Sequence, residues 1–365
     1  MGPSCRNEPR YQRVFRVRVG GVESRLPALG SVGRVRWRRH PAVLAVVAAA
    51  LALAACAGRE TRSASTTVAP ATSVTTRVTT EADNPAPPAC DPDPHPAGQS
   101  GETFDFEGQA RTYQLYVPRG YDGTQPVPLV FDFHGFGSNA AEQMAYGDFR
   151  PLAEEHTFLI VAPDGQGDRR HFNLAGEAGL QDDVQMVLEL LDRLEADFCI
   201  DATRVFSTGM SDGGAMTSVL ACRAPDRFAA FGPVAVVLHF PGCGGSHLVA
   251  IAAFMGTDDP IVPFEGGTVK CCGGPTLGSA PDAVAGWAEH NGCDPTFTDE
   301  QLDSEVRRRT WSACDGGEVV FYIIDGGGHT WPGAAIEVSQ LGLTTQQVDA
   351  SATIWDFFAA HPLTS

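Results

Sequence analysis

The stretch Arg204-Val-Phe-Ser-Thr-Gly-Met-Ser211-Asp-Gly-Gly-Ala-Met-Thr-Ser-Val-Leu220 decides how the rest of the chain is read. Val205 to Thr208 reads as a short buried strand, and Gly214 to Leu220 has helical spacing. Between them lies Gly209-Met210-Ser211-Asp212-Gly213, a G-x-S-x-G pattern. In a strand–turn–helix setting the serine is forced onto a sharp turn, and the glycines keep side chains from blocking it. The turn lifts the Ser211 hydroxyl above the sheet, and the next helix aims its positive end at that place. Gly and Ser are also common in structural turns. The strand before and the helix after are what favour a nucleophile.

Two partners follow in order. The apolar run Leu248 to Met255 reads as a core strand and ends in Gly256-Thr257-Asp258-Asp259-Pro260. A second run, Val319 to Ile324, leads into Asp325-Gly-Gly-Gly-His329-Thr-Trp331-Pro-Gly333. A carboxylate and a histidine are thereby expected at the same sheet edge as the serine. The order Ser, Asp, His is that of α/β-hydrolases, not of chymotrypsin-like or subtilisin-like enzymes. A serine hydroxyl is a poor nucleophile until a neutral imidazole removes its proton, and a carboxylate fixes the tautomer and stabilises the imidazolium. The side chains of Asp258 and Asp259 should diverge, and Pro260 biases Asp259 toward an extended backbone. Asp259 is the expected partner of His329.

The strand Val127 to Phe133 runs into His134-Gly135-Phe136-Gly137. Backbone N–H groups of Phe136 and Asp212 are expected to form the oxyanion hole. The His134 ring either contacts substrate or braces the loop, with bracing favoured. Trp331 either walls the substrate pocket or anchors the loop in the core.

The chain resembles the secreted esterases grouped with polyhydroxybutyrate depolymerases and feruloyl esterases, including actinobacterial lipoproteins of that type. The matching pieces are residues 111–118, the His134-Gly135 turn, Cys199-Ile-Asp201, residues 209–213, residues 256–263 and residues 327–333. The resemblance runs from about Cys90 to the C-terminus. It implies an α/β-hydrolase fold, a mostly parallel doubly wound sheet with helices on both faces. It also implies a triad of Ser211, Asp259 and His329. The chain departs from the family pattern at Asp212, where Asn or Ala is usual, and at Met255, where His is usual. Both departures leave the triad intact and bear on substrate preference and pH optimum.

Three segments are expected. Residues 1–55 read as a signal peptide, with Arg38-Arg39 before the apolar run Ala42 to Ala55, too short for a comfortable membrane span. Ten arginines precede that run, so either the n-region is long or the start lies too early. Residues 56–99 begin at Cys56, which completes a lipobox-like Leu53-Ala54-Ala55-Cys56 and is the candidate lipidation site; ordinary cleavage is the alternative. The rest of that segment is rich in Thr, Ser, Ala and Pro and reads as a flexible tether. Residues 100–365 form the catalytic domain.

Within it, residues 103–106 and 111–117 alternate like an edge hairpin. Residues 140–156 read as one helix, and residues 158–162 as a strand. Residues 181–197 read as an amphipathic helix with Val184, Met186, Val187, Leu190, Leu191 and Leu194 on one stripe. An insertion with a helix near residues 282–289 separates the Asp-bearing and His-bearing strands, and residues 347–360 close the domain as a helix. Eight cysteines follow Cys56. In an exported chain they suggest disulfides, with Cys222–Cys243, Cys293–Cys314 and Cys90–Cys199 as candidate pairs. A zinc site is the rival reading, but C-x-x-C and H-x-x-x-H spacings are absent.

Setting aside the ten Arg and two acidic residues before Cys56 leaves sixteen basic and forty-two acidic residues, a net charge of −26. Such a chain repels nucleic acid and anionic polymers, so nucleic acid is not an expected partner. No P-loop and no paired metal carboxylates occur, and no cofactor is implied. The expected function is a serine esterase that is secreted and lipid-anchored to the outer face of the membrane. Its expected substrates are neutral esters: feruloyl esters, acetylated sugars or polyhydroxyalkanoates. The alternatives are a prolyl-oligopeptidase-like peptidase and a non-catalytic surface-binding lipoprotein.

Overall fold

The computed structural model describes residues 90, 95–174, 176–243, 245–271 and 274–363. Cys56, the signal segment and most of the tether lie outside the described residues.

Twelve strands and six α-helices alternate along these residues. The hairpin β1 (Gly98–Phe106) and β2 (Gln109–Val117) comes first, then β3 (Val127–Phe133), α1 (Ala140–Tyr146), α2 (Arg150–His156) and β4 (Leu159–Pro163). Next are α3 (Asp183–Asp197), β5 (Ile200–Met210), α4 (Asp212–Arg223), β6 (Ala230–Val234) and β7 (Ala250–Gly256). The small hairpin β8 (Gly267–Thr268) and β9 (Thr276–Leu277) precedes α5 (Ala280–His290). Then come β10 (Phe297–Asp303), β11 (Val306–Trp311), β12 (Val319–Ile324) and α6 (Ala350–Ala360).

Ten strands form one sheet in the order β1-β2-β4-β3-β5-β6-β7-β12-β11-β10. The six from β4 to β12 are parallel, and antiparallel pairs close both edges. Central strands buried on both faces are apolar throughout, as in β3 and β12. Alternate residues feed two cores. Leu129, Phe131 and Phe133 pack with α3, α4 and α5, while Val130 faces the cluster of α1, α2 and α6. The expected α/β-hydrolase architecture is present, and the α3 stripe is buried as read from its spacing.

Two local readings change, and the start of α3 gains detail. The helix expected over residues 140–156 is two. Gly147 caps α1, Asp148 takes a left-handed φ of 32°, and Pro151 stands in the first turn of α2, where its missing N–H costs nothing. Asp182 caps α3 by accepting from the N–H of Val184 at 2.9 Å, whereas Asp183 is buried against Arg111 at 2.6 Å. The insertion before β12 adds β10 and β11 to the sheet. All seven residues of β10 are exposed, so apolar alternation does not mark it. Cross-strand ion pairs hold it instead, among them Arg309–Asp299 at 2.7 Å.

All three candidate disulfides form: Cys90–Cys199, Cys222–Cys243 and Cys293–Cys314.

Candidate active site

The site is built where the parallel strands end. Ser211 follows β5 with φ 58° and ψ −115°, a region that a residue with a side chain occupies only under constraint. The constraint is close packing around the turn. Ser211 N–H donates to Val234 O at 2.8 Å, tying the turn to the end of β6. A Cβ on Gly209 would sit 2.6 Å from Phe133 O, one on Gly214 2.6 Å from Val236 O, and one on Gly213 would run into Phe133 O. Glycine at these positions lets α4 press onto β3 and β6, which holds the serine on its elbow.

β7 and β12 end beside each other, in register from Val319–Ile251 to Ile324–Gly256. Beyond them the two loops lock together: Thr257 N–H donates to Ile324 O at 2.9 Å and Asp258 N–H to Gly327 O at 2.9 Å. His329 N–H is held by Leu341 O at 2.6 Å. The result is a buried pair in which His329 Nδ1 meets Asp259 Oδ2 at 2.7 Å. The other carboxylate oxygen of Asp259 accepts the N–H groups of Ile261 and Val262, both at 2.8 Å. A carboxylate has no proton to give, so Nδ1 carries the hydrogen and Nε2 keeps its lone pair. Asp258 is exposed and takes no part in the pair.

The turn after β3 stands next to the serine, since a Cβ on Gly135 would lie 3.4 Å from the Ser211 Cβ. In this turn Gly137 N–H donates to Arg170 O at 2.7 Å and Ser138 N–H to Gly135 O at 3.1 Å. The N–H groups of Phe136 and Asp212 have no protein acceptor among the described residues. That is the state required of oxyanion donors.

His134 and Trp331 lie away from solvent. His134 is 0% exposed; its Nε2 accepts Gly165 N–H at 2.9 Å, which leaves Nδ1–H to bond Gly135 O at 2.8 Å. Burial pushes its imidazole below the usual range. The ring braces two loops. Trp331 is 1% exposed; its Nε1–H donates to Ser351 Oγ at 3.0 Å and its ring stands edge-on to Phe149. It anchors the His329 loop in the core and leaves no ring face for a pocket wall, contrary to the substrate-contact option.

Sequence reasoning marked Asp212 only as a backbone donor and a departure from the family pattern, and it passed over Asp132. Asp212, the residue after the serine, accepts Phe172 N–H at 2.8 Å on Oδ2, and burial pushes its carboxyl up to about 6. The signal for it was the loop of residues 164–182, long for a β–α connection, and such loops usually carry function. Asp132 on β3 is fully buried. Its Oδ1 accepts Gln143 Nε2–H at 2.8 Å, its Oδ2 has no partner among the described residues, and burial holds the carboxyl well above the usual range.

Residues 111–257 match the family described as "Esterase PHB depolymerase". Feruloyl esterase C of Emericella nidulans is 29% identical over 259 residues, covering 68% of this chain and 84% of that protein. Feruloyl esterase D of Neurospora crassa is 28% identical, covering 72% and 87%. An acetyl xylan esterase from Aspergillus awamori shares the fold, with a TM-score of 0.50 at 15% identity over 71% of this chain and 99% of that one. Fold, site and relatives together define an α/β-hydrolase acting on carboxylic esters. Within that class the chain resembles the polyhydroxybutyrate depolymerase family over residues 111–257 and is similar in sequence to these feruloyl esterases.

Proposed function

We propose that the protein is an exported serine esterase that cleaves neutral carboxylic esters through an acyl-enzyme. The buried Asp259–His329 pair, at the same sheet edge as a strained serine elbow, is the observation that carries this reading. Ser211 Oγ attacks the ester carbonyl as its proton passes to Nε2 of His329, and the N–H groups of Phe136 and Asp212 hold the oxyanion. Collapse breaks the bond to the alcohol, which leaves with the proton from His329. Water, deprotonated by the same nitrogen, then attacks the acyl-serine and releases the acid. Asp259 keeps the imidazole oriented throughout.

Three disulfides suit an oxidising compartment and support export. The lipobox-like segment at Cys56 supports a lipid anchor, with the catalytic domain of residues 100–365 held off the membrane by the segment of residues 56–99. The relatives named as feruloyl esterases support feruloyl esters as the first substrates to test, with acetylated sugars and hydroxyalkanoate oligomers beside them.

The test is a fluorophosphonate label together with that three-substrate panel. The wild-type protein should take up the label and turn over at least one ester. Ser211→Ala should lose both. A Ser211→Ala protein that keeps its esterase activity would overturn the reading.

A further inference from the structure

Asp212 has a second group besides its backbone N–H, and the reaction scheme does not use it. Its carboxylate accepts the N–H of Phe172 at 2.8 Å. Two residues earlier, Arg170 O accepts the N–H of Gly137 at 2.7 Å. The short segment of residues 170–172 is therefore bonded on one side to the turn carrying Phe136 and on the other to the first residue of α4. Those are the two positions assigned to the oxyanion donors. Around the same segment, His171 lies 5.6 Å from the ring of Phe136, and the Arg169 guanidinium sits 5.0 Å over it. Phe136 is exposed.

The base of this loop is anchored independently of Asp212. Gln166 and His171 exchange backbone hydrogen bonds at 2.8 and 3.0 Å, and Gly165 N–H is held by His134 Nε2. Buried Asp183 accepts Arg111 at 2.6 Å, Asn173 N–H at 2.6 Å and Gln166 Nε2–H at 2.9 Å. These anchors flank Phe172 on both sides, so losing the Asp212 bond would relax the segment without unfolding the loop.

We propose that the ionised carboxylate of Asp212 is a positioning residue: by holding Phe172 N–H it fixes the spacing of the two oxyanion donors and sets the wall formed by Phe136, Arg169 and His171. This rests on Ser211 being the nucleophile. An ionised acceptor makes roughly twice as strong a hydrogen bond as a neutral one, so protonation loosens the wall. Burial makes that protonation accessible, since it pushes the Asp212 carboxyl up to about 6. The charged groups facing it are His171, which favours the ionised form, and Asp183 at the start of α3, which opposes it. His171 in turn contacts Glu177 at 3.2 Å. A competing effect has the opposite sign. A negative charge beside the oxyanion opposes the developing charge, so if electrostatics dominated, removing the carboxylate would raise the rate.

The pH profile of kcat/KM separates the two. In the wild type, protonating Asp212 weakens its bond to Phe172 N–H without stopping the reaction. Asp212→Asn keeps an acceptor oxygen without the titration. The ratio of wild-type to Asp212→Asn kcat/KM should therefore fall, by at most about tenfold, as pH drops through about 6. Asp212→Ala loses the bond. It should lower kcat/KM about tenfold, the size of one hydrogen bond, mainly through KM for a feruloyl ester and less for p-nitrophenyl acetate. A wild-type to Asp212→Asn ratio that stays constant with pH, or an Asp212→Ala protein as fast or faster on the feruloyl ester, would overturn the proposal. Circular dichroism checks folding, and if Asp212→Ala fails to fold, the Asp212→Asn ratio across pH decides alone. Ser211→Ala controls the underlying assignment: if it stays active, the nucleophile reading fails whatever the Asp212 variants do.

Discussion

His329 donates its Nδ1–H to Asp259 Oδ2 at 2.7 Å across 70 residues of sequence, while Asp258, the neighbour of Asp259, is exposed. Asp259 is buried just past the end of β7. Only one can reach the histidine, and its second oxygen is already held by two N–H groups. Asp259→Asn presents an amide where the imidazole needs an acceptor, and it should cut turnover on the scale of ~10⁴ known for amidation of a triad aspartate. Asp258→Asn keeps the backbone bond to Gly327 and should stay within a few-fold of wild type. Steady-state rates of both variants, with circular dichroism to show that both fold, check the pair. A dead Asp258→Asn beside a live Asp259→Asn would reverse the assignment.

Asp132 gives the fold a pH dependence of its own. Burial raises its carboxyl well above the usual range in the folded state, whereas the unfolded chain ionises normally. Between those two values the folded state binds the extra proton, so this group's contribution makes stability fall as pH rises. It contributes no penalty below the unfolded carboxylate range. Asp132→Asn removes the titration. Its melting temperature relative to wild type should therefore rise from mildly acidic to alkaline pH, as followed by thermal denaturation across buffers. A difference that stays constant with pH would contradict a proton held at Asp132.

Trp331→Phe tests whether the indole ring near the histidine serves packing or substrate. It keeps most of the apolar contact with Phe149 but loses the bond to Ser351. A loss of about 1–3 kcal/mol is expected, because Ser351 Oγ is left with an unfilled buried acceptor site. KM values for feruloyl and acetyl esters should change little. A large KM change without loss of stability would place the ring in the pocket.

Cys56→Ser addresses export. If the cysteine is acylated, the variant should leave the membrane fraction while its esterase activity persists. Mass spectrometry of the mature N-terminus gives the direct reading. Unmodified wild-type protein found wholly in the medium, starting at another residue, would remove the anchor.

Much of the architecture was legible from local pattern alone. An apolar run without alternation marks a strand buried on both faces. The end of such a run marks the edge at which a parallel sheet presents its loops. That is why Ser211, Asp259 and His329 could be placed at one edge from order and spacing, and why the α3 stripe was read residue by residue. Pro260 even distinguished the two aspartates, since it acts on its immediate neighbour.

Tertiary structure decided what depends on partners distant in sequence. β10 is held by charges on β11, so its own residues carry no strand period. Trp331 could face the pocket or the core until Phe149 and Ser351, from α2's cap and α6, closed around it. Burial in the assembled fold raises the carboxyls of Asp132 and Asp212, and hydrogen bonds from Gln143 and Phe172, distant in sequence, oppose that rise. Desolvation is a property of the assembled neighbourhood, and no window of sequence contains it.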